Sequence, residues 1–449
     1  MMFRKETEFQ ETEIGMLPEG WRIKRLSEVA IIRSGFSERR RDERSRVIHL
    51  RPDNINNETD KIIFNNIVYI PESSKIEKYL LEHLDIVLVN TNGSINHIGK
   101  VGIIDFSLDK KITFSNHLTA IRIVSKDINP YYVYYFLSLL HLKGYYKKLV
   151  KNQAGKWNLN LSTIRDLLIP IPPLEEQKRI ADILSMIDSG IETVDRAIAK
   201  LERMKRALLN ELLTGRIRVR EVNGKLTFYK EIEFQETEIG EMPKDWKIEK
   251  LKNIVIKAKM GGTPKSTVHE YWGGDIPFAR VEDITSSHKY LFKTSTTITK
   301  LGLENSNAWI VPKDSLLITI YGTLGAVAIN KIELATNQAI VSIIPRKDIV
   351  DVEYLYYWYS FFQTNWNKYV KKSTQPNLTL EIVTNSKLPL PSIKEQKRIV
   401  DILSTIDSTI ELYYREKEKL LRLRRGLMGV LLTGRVRVVS DVRDVEVVI

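Results

Sequence analysis

The chain has 449 residues, of which 43% are hydrophobic and 28% charged, which indicates an ordinary globular protein too long for a single core. Its 69 Lys and Arg residues outnumber 56 Asp and Glu residues, and the net charge of +13 predicts an anionic partner, nucleic acid first. Cysteine is absent, which excludes disulfides, thiolate metal sites and cysteine nucleophiles and favours the cytoplasm. The first residues lack the apolar core of a signal peptide, and no apolar run approaches about 20 residues, so no membrane is expected as a partner.

The chain repeats itself at two places. Lys5–Leu26 and Lys230–Leu251 share 14 identities over 22 residues, and Ile169–Val219 and Leu388–Val438 share 29 identities over 51 residues. The sequence between the members of each pair barely matches. This pattern indicates a tandem duplication with similar frames and divergent inserts, so we expect one kind of task performed on two different targets.

After its leader, each half contains short runs rich in Val and Ile that are bounded by turn residues. Runs such as Asp85–Val89 and Ser315–Ile320 predict strands. An aromatic helix is predicted over Tyr131–Leu142 in the first half and over Val352–Phe362 in the second. The mixture favours an α+β globule in each half.

Each half then ends in a long amphipathic helix. Apolar residues alternate in steps of three and four over Leu184–Leu212 and over Leu403–Leu431, which is the seam of a coiled coil. Polar residues occupy three seam positions, Lys205, Lys417 and Arg424. About 40 helical residues at ~1.5 Å each predict a rod of roughly 60 Å.

The ends of these helices carry recognisable signals. Pro172-Pro173 precedes the first helix, and Ser392 with Glu395 forms a capping-box pattern before the second. Gly215 and Gly434 stand at the C-caps. Because each seam needs a partner and its own repeat is the nearest one, we predict that the helices pair antiparallel about an intramolecular pseudo-two-fold axis.

No motif in the chain predicts catalysis. Gly93–Lys100 resembles a P-loop but has the wrong spacing and lacks the following Ser or Thr, and Asn129–Tyr132 resembles an adenine methyltransferase motif but lacks its second Pro. The seven histidines show no metal-ligand spacing. We therefore predict a binding protein that is not an enzyme, with no catalytic residue, no metal and no cofactor of its own.

Basic stretches recur at one place in both halves, and a third lies in the first half. The segment from His141 to Lys156 has five lysines and no acid, the segment from Phe361 to Gln375 has three lysines and no acid, and Arg33–Arg46 has six arginines against three acids. Lysines suit the phosphate backbone, whereas Arg, Asn and Gln can read base edges. The predicted phosphate contacts are Lys143, Lys147, Lys148, Lys151, Lys156, Lys368, Lys371 and Lys372. The predicted base-reading candidates are Arg39, Arg40, Arg41, Asn152, Gln153, Gln363 and Gln375.

The motifs of the chain resemble those of type I restriction-modification specificity subunits. They occur in the expected order over nearly the whole chain, and the signatures are Leu17–Trp21, Gly261-Gly262-Thr263-Pro264, Tyr271–Pro277, Ala335–Gln338, Gln375–Leu378, Ile171–Gln177 and Leu212–Val219. The first half departs from the pattern with Ser34–Ser37 where Gly-Gly-Thr-Pro is common, and with Asn96-His97 inserted in its Gly-Ser-Ile motif.

This resemblance implies two target recognition domains that each read one half of a split double-stranded DNA site, with helices that set the unread spacer. It also implies two modification subunits, which carry S-adenosylmethionine, and restriction subunits, which use ATP with Mg. The implied domains are 1–170 (first recognition domain), 171–222 (first long helix), 223–390 (second recognition domain) and 391–449 (second long helix and tail). The alternatives are a coiled-coil scaffold that binds acidic partners without sequence preference, and a stand-alone enzyme.

Overall fold

The computed structural model describes residues 2–106, 110–153, 155–369 and 377–439. The chain forms two compact units. Unit 1 comprises Met1–Arg196 and Tyr413–Ile449, and unit 2 comprises Ala197–Leu412. Each unit therefore takes one globular part and a segment of both long helices, a division that cuts across the domain boundaries expected from the sequence, which stay a prediction.

Strands and helices alternate along both units. The strands before the first long helix are β1 (Met2–Lys5), β2 (Phe9–Thr12), β3 (Gly15–Pro18), β4 (Arg22–Arg25), β5 (Ala30–Ser34), β6 (Val47–Leu50), β7 (Tyr69–Ile70), β8 (Ile86–Val89), β9 (Thr91–Asn92), β10 (Val101–Ile103), β11 (Ile112–Phe114), β12 (Leu118–Ile123), β13 (Lys151–Gln153), β14 (Lys156–Asn158) and β15 (Leu168–Ile171). Those after it are β16 (Ile217–Val222), β17 (Lys225–Lys230), β18 (Phe234–Thr237), β19 (Gly240–Pro243), β20 (Lys247–Lys250), β21 (Val255–Met260), β22 (Trp272–Ala279), β23 (Tyr290–Leu291), β24 (Thr296–Ile298), β25 (Leu316–Thr319), β26 (Val327–Asn330), β27 (Ala335–Thr336), β28 (Ile340–Pro345), β29 (Lys387–Leu390) and β30 (Val436–Val439). The α-helices are α1 (Leu26–Val29), α2 (Pro130–Leu142), α3 (Leu161–Arg165), α4 (Leu174–Leu213), α5 (Val281–Ser286), α6 (Lys300–Glu304), α7 (Val352–Phe362), α8 (Leu380–Asn385) and α9 (Ile393–Leu431). Short 3-10 helices cover Pro52–Asn54, Ser74–Tyr79, Ile95–His97, Tyr145–Lys148, Leu251–Asn253, His269–Tyr271 and Gln363–Lys368.

The core of each unit is an antiparallel sheet backed by the aromatic helix. In unit 1 the strand order is β10-β8-β12-β5, and in unit 2 it is β21-β28-β25-β26-β23, where only the β23–β26 pair is parallel. The central strands β8 and β25 are buried along their whole length. The predicted α+β class with two long helices is therefore confirmed.

The aromatic helices α2 and α7 are fixed at their first turn by the same contacts. Asn129 caps α2 by accepting from the Tyr132 amide at 3.1 Å, so the Asn-Pro-Tyr-Tyr segment serves as a helix start. The hydroxyl of Tyr132 donates to the Pro170 carbonyl at 2.9 Å, and that of Tyr354 donates to the Pro389 carbonyl at 2.9 Å. These hydroxyls tie each aromatic helix to the strand that precedes a long helix.

The predicted ends of the long helices agree with the structure. Ser392 accepts from the Glu395 amide at 3.3 Å, while the Glu395 carboxylate pairs with Arg218 and does not complete a capping box. Gly215 and Gly434 end the helices with φ of +67° and +69°. A Cβ on Gly215 would lie 2.4 Å from Pro243, so only glycine fits there.

Polar residues at the seam of unit 1 meet acids. The Arg424 side chain is 1% exposed, and its Nε lies 2.7 Å from Asp188 Oδ1. Its Nη1 lies 3.8 Å from Asp60. Burial raises the pKa of Asp60, and the nearby Arg424 charge opposes that rise. Lys417 pairs with Asp195 at 2.8 Å. Arg424 pairs with Asp188, and Lys417, one heptad earlier in α9, pairs with Asp195, one heptad later in α4. The helix segments therefore pair antiparallel within unit 1, as predicted.

Unit 2 uses the same position with a different cation. Lys205, which is 219 residues before Arg424, pairs with Asp407 at 2.5 Å, and Asp407 also accepts from the Tyr357 hydroxyl at 2.7 Å. In unit 1 the equivalent Asp188 accepts from the Tyr135 hydroxyl at 2.8 Å. In each seam a cation therefore pairs with an aspartate, and a tyrosine of the aromatic helix donates to that aspartate.

A largely buried arginine closes each unit. In unit 1 the Arg437 guanidinium binds Glu176 at 2.6 Å and Glu6 at 2.8 Å and lies 5.7 Å from the Trp21 ring centre. In this way it connects the leader, the start of α4 and the strand that follows α9.

The equivalent arginine of unit 2 is Arg218. It binds Glu395 at 2.5 Å and Glu231 at 2.7 Å and lies 5.3 Å from the Trp246 ring centre. The strands beside it match as well, because β1 pairs antiparallel with β30 in unit 1 as β16 pairs with β17 in unit 2.

Replacing Arg424 should test the buried pairs. Arg424→Ala leaves Asp188 and Asp60 without their cation, so we expect the free energy of unfolding to fall by about 3–5 kcal/mol in urea titrations followed by circular dichroism. Arg424→Lys should cost less because unit 2 has Lys205 at this position. The exposed neighbour serves as control: Arg425→Ala should change stability by less than about 0.5 kcal/mol. Equal midpoints for the two alanine variants would contradict the assignment.

Candidate nucleic-acid interface

The loop after β5 is locked against the loop before β12. The Gly35 amide donates to the Leu118 carbonyl at 3.2 Å, and a Cβ on Gly35 would lie 2.1 Å from the Ser115 carbonyl oxygen. In unit 2 the Gly261 amide donates to the Ile340 carbonyl at 3.1 Å, and a Cβ there would lie 2.1 Å from the Thr336 carbonyl oxygen. Gly35 and Gly261 are therefore equivalent, and each allows a close backbone approach that a side chain would prevent.

A second shared feature is a left-handed glycine after the central strand. Gly99 has φ of +82° and faces the Tyr146 ring, and Gly325 has φ of +70° and faces the Trp366 ring. The carbonyl just before each glycine is also held, by His141 in unit 1 and by Gln363 in unit 2.

The two holding groups are equivalent. His141 Nδ1 lies 2.9 Å from the Ile98 carbonyl, and Gln363 Nε2 donates to the Leu324 carbonyl at 3.2 Å. Gln363 was predicted to read a base, but here its side-chain amide donates to the loop that contains Gly325.

The basic stretch of unit 1 folds into a turn and a hairpin. Lys147 donates to Asn96 at 2.7 Å from the 3-10 helix, while the exposed Lys151 and Asn152 lie in β13 and Lys156 begins β14. Strand β14 pairs with β9, so the hairpin lies beside the loop that leads to Gly99. Strand pairing therefore brings Lys151, Asn152 and Lys156 together in one hairpin.

Unit 1 has a cleft of about 320 Å³ between the loop after β5, the end of β6 and the loop before β12. It is lined by Ser37, Glu38, Arg39, Arg41, His49, Arg51, Pro52, Val68, Ser115, Asn116 and His117. Burial lowers the pKa of His117, and the positive charge of Lys156 lowers it further. Lys156 therefore lies close enough to extend the positive potential of the cleft along the hairpin.

Other predicted residues lie apart from the cleft or are already engaged. Arg40 binds Glu38 at 2.8 Å. Lys143 caps the C-terminal end of α2, where burial and the nearby Arg435 charge lower its pKa. Lys148 and Lys368 are exposed and end equivalent 3-10 helices. Lys371, Lys372, Gln375 and the side chain of Gln153 lie outside the described residues.

Sequence reasoning missed His49, Arg51, Asn116 and His117. His49 and Arg51 sit at the end of a buried strand, and Asn116 and His117 belong to the tight loop before β12. A signal existed for the loop, since it aligns with the Ala335–Gln338 motif of the second half. Only the parallel β6–β11 pairing brings the two segments together.

Metal-ligand clusters and membrane-spanning helices are both missing from the part of the chain that the structure describes. Within those residues no group of three or more His, Asp or Glu side chains is arranged to hold a metal ion. None of the helices found there is long and apolar enough to cross a membrane.

The role of Gly99 can be tested with a neighbouring glycine as control. A Cβ on Gly99 would lie 1.9 Å from the Tyr146 ring, and its φ is left-handed, so Gly99→Ala should lower the free energy of unfolding by about 1–3 kcal/mol. Nothing lies within 4 Å of the Cβ position of Gly93, so Gly93→Ala should be nearly neutral. Thermal melts of both variants would reveal whether this difference exists.

Comparison with known proteins identifies a family. The model of the type I restriction modification DNA specificity domain matches residues 18–203 and 243–422. The putative type I restriction enzyme MjaX specificity subunit of Methanocaldococcus jannaschii is 28% identical over 442 residues, which cover 98% of this chain and 99% of that protein. The type I restriction enzyme EcoBI specificity subunit of Escherichia coli is 29% identical over 273 residues, which cover 58% of this chain and 56% of that protein.

Solved structures share the fold. The S subunit of a type I restriction-modification system from M. genitalium has a TM-score of 0.55 at 14% identity, covering 92% of this chain and 96% of that chain. A chain from a study of complex assembly and conformational transition of the type I R-M system has a TM-score of 0.53 at 17% identity, covering 93% of this chain and 99% of that one. With the family model matching both halves, the chain belongs to the type I restriction-modification DNA specificity family and is a specificity subunit, a DNA-recognition component that is not itself the catalyst.

Proposed function

We propose that each unit reads one half of a split double-stranded DNA site. The observation that carries this proposal is that both units present the same loop framework with different side chains on it. Gly35 and Gly261 make the same backbone contact, as do Gly99 and Gly325, yet the residues that follow them differ. One framework with two sets of exposed side chains suits two different half-sites.

The long helices would set the spacer between the half-sites and dock two modification subunits. Those subunits would carry S-adenosylmethionine, and restriction subunits would use ATP with Mg, so this chain would need no cofactor of its own. The work would take place in the cytoplasm. In this arrangement 1–170 and 223–390 are the recognition domains, 171–222 is the first spacer helix, and 391–449 is the second with its tail.

The phosphate contacts would come from the lysines of the basic stretches and the base contacts from the arginines, asparagine and glutamines named above. Lys156 supports this because its charge acts on His117, which lines the cleft, and Lys151 lies in the strand that pairs with the strand of Lys156. The family assignment argues against the alternative of a scaffold that binds acidic proteins, although the net charge of +13 would suit it as well. Such a scaffold predicts no sequence preference.

Mapping methylated adenines in DNA from the source cell decides between these functions. We expect two short specified blocks separated by an unspecified spacer of constant length. Footprinting with reconstituted modification subunits should protect the same two blocks. One continuous block would overturn the bipartite proposal, and protection without sequence preference would favour the scaffold.

Equivalent lysines give a test of backbone contacts. Lys148→Ala and Lys368→Ala should each weaken DNA binding about equally for all sequences, and each should reduce the slope of log K against log salt by about 0.9. Lys126→Ala and Lys347→Ala are controls. Both side chains are exposed, but they lie before the aromatic helices, whereas Lys148 and Lys368 lie after them. An unchanged salt slope in the first two variants would remove them from the interface.

A further inference from the structure

The cleft of unit 1 offers hydrogen-bond donors that the protein does not use. Arg40 is satisfied by Glu38, with three contacts of 2.8–3.1 Å. By contrast, Arg39, Arg41 and Arg51 line the cleft and form no ion pair with any residue that the structure describes. Arg39 and Arg41 are exposed at its edge. A planar guanidinium fork matches the O6 and N7 acceptors of guanine in the major groove.

His49 adds an acceptor to the same cleft. Its Nδ1 lies 3.0 Å from Thr113 Oγ1, and the Thr113 hydroxyl donates its own hydrogen to the Ile48 carbonyl at 3.1 Å. The Thr113 oxygen must therefore accept from Nδ1–H, which leaves Nε2 as the acceptor of the ring. Burial lowers the pKa of His49 to about 4, and the Arg51 charge contributes, so the ring is neutral at pH 7. A cytosine amino group is the complementary donor.

Unit 2 shows that this polar pair is not required by the fold. Gly35 packs on the carbonyls of Phe114 and Ser115, and Gly261 packs on those of Thr336 and Asn337, which aligns the two sheets. By the parallel registers, the His49–Thr113 pair of unit 1 is then replaced by Phe278 and Ala335 in unit 2.

The surrounding residues differ in the same direction. His117 and Ala339 make the same backbone contact, since the Asn90 amide donates to the His117 carbonyl at 3.0 Å and the Ile320 amide to the Ala339 carbonyl at 2.8 Å. The position of His117 thus carries only a methyl group in unit 2. The loop after Gly261 reads GTPKSTV and contains no arginine, whereas Ser37–Arg41 contains three.

We propose that the unit 1 cleft binds the major-groove edge of a G·C base pair, with Arg39 and Arg41 donating to guanine and His49 accepting from the cytosine amino group. The assignment rests on the proposed function, and it makes the two half-sites chemically different. The half-site of unit 1 contains a G·C pair read by arginine, and that of unit 2 is read without counterparts of Arg39 and Arg41.

The first experiment maps the methylated sequence of the intact complex with Arg39→Gln or Arg41→Gln. Each variant should relax preference about ten- to a hundredfold at one G·C position in one half-site and leave the other half-site unchanged. Arg44→Gln and Arg46→Gln are matched controls, because these exposed arginines belong to the same loop but do not line the cleft. The inference is overturned if the base preference relaxes at an A·T pair, relaxes in both half-sites, or does not relax at all. None of these outcomes contradicts the bipartite function. A methylated sequence that is one continuous block overturns both.

A second experiment does not depend on a variant that folds. Replacing the assigned guanine by 7-deazaguanine removes N7, and wild-type binding should weaken about tenfold at that position and little at guanines elsewhere.

A third experiment uses the double variant His49→Phe with Thr113→Ala. This variant copies the residues of unit 2, so it should unfold at the same urea midpoint as wild type. It should nevertheless discriminate less against other pairs at the assigned position. Unchanged discrimination would remove His49 from the site, and unchanged binding of the 7-deazaguanine duplex would remove the arginines.

Discussion

Each unit depends on a largely buried arginine that holds three separate segments of chain together. Arg437 in unit 1 and Arg218 in unit 2 each bind one glutamate of the leader and one glutamate in the first turn of a long helix. A guanidinium can do this because its planar fork serves two carboxylates at once. Since both carboxylates lose water on burial, losing the arginine would leave two uncompensated charges. The leader, which reads as a simple acidic strand, is thereby coupled to the helix frame.

The seams of the long helices also contain a cation paired with an acid, but the cation differs between the two units. Arg424 and Lys205 occupy equivalent positions and meet equivalent aspartates, each of which also accepts from a tyrosine of the aromatic helix. A charge inside a seam favours only the registers that bring it to its partner. These pairs therefore orient the aromatic helix on the long helices. The 3-10 helix that follows each aromatic helix places Tyr146 or Trp366 against the left-handed glycine of the loop.

The parts of the fold that could be predicted from sequence are those with local signals. The seam periodicity, the proline before α4, Ser392 before α9 and the terminal glycines Gly215 and Gly434 act within a few residues, and the structure agrees with each. Strand order was not accessible in this way, because β5 pairs with β12 across more than 80 residues of intervening chain. The acids that satisfy Arg424 come from α4 and from the loop before β7, so periodicity revealed the gap but not its partners.

The candidate site divides along the same line. Its lysines were visible in the sequence as basic stretches without acidic residues, and strand pairing places Lys151 and Lys156 in one hairpin. The contributions of His49 and His117 were hidden because one follows from a parallel strand register and the other from a tight loop, and neither leaves a pattern in composition. Gln363 shows the converse, since an amide that looks suited to adenine donates to the Leu324 carbonyl in the loop after β25.

The duplication makes it possible to separate what the fold requires from what it tolerates. Residues alike in both units, such as the closing arginines, the capping glycines and the tyrosines bonded to Pro170 and Pro389, all make contacts that hold the framework. Where the units differ at equivalent positions, both choices are compatible with one framework. Phe278 and Ala335 fill their place with apolar contacts, whereas His49 and Thr113 bury a polar pair at the same register. Burying polar groups is unfavourable unless they are bonded, and even then the net gain is about 1 kcal/mol. Stability therefore gives little reason to prefer the polar pair. Its position beside three arginines that form no ion pair with the described residues gives a chemical reason.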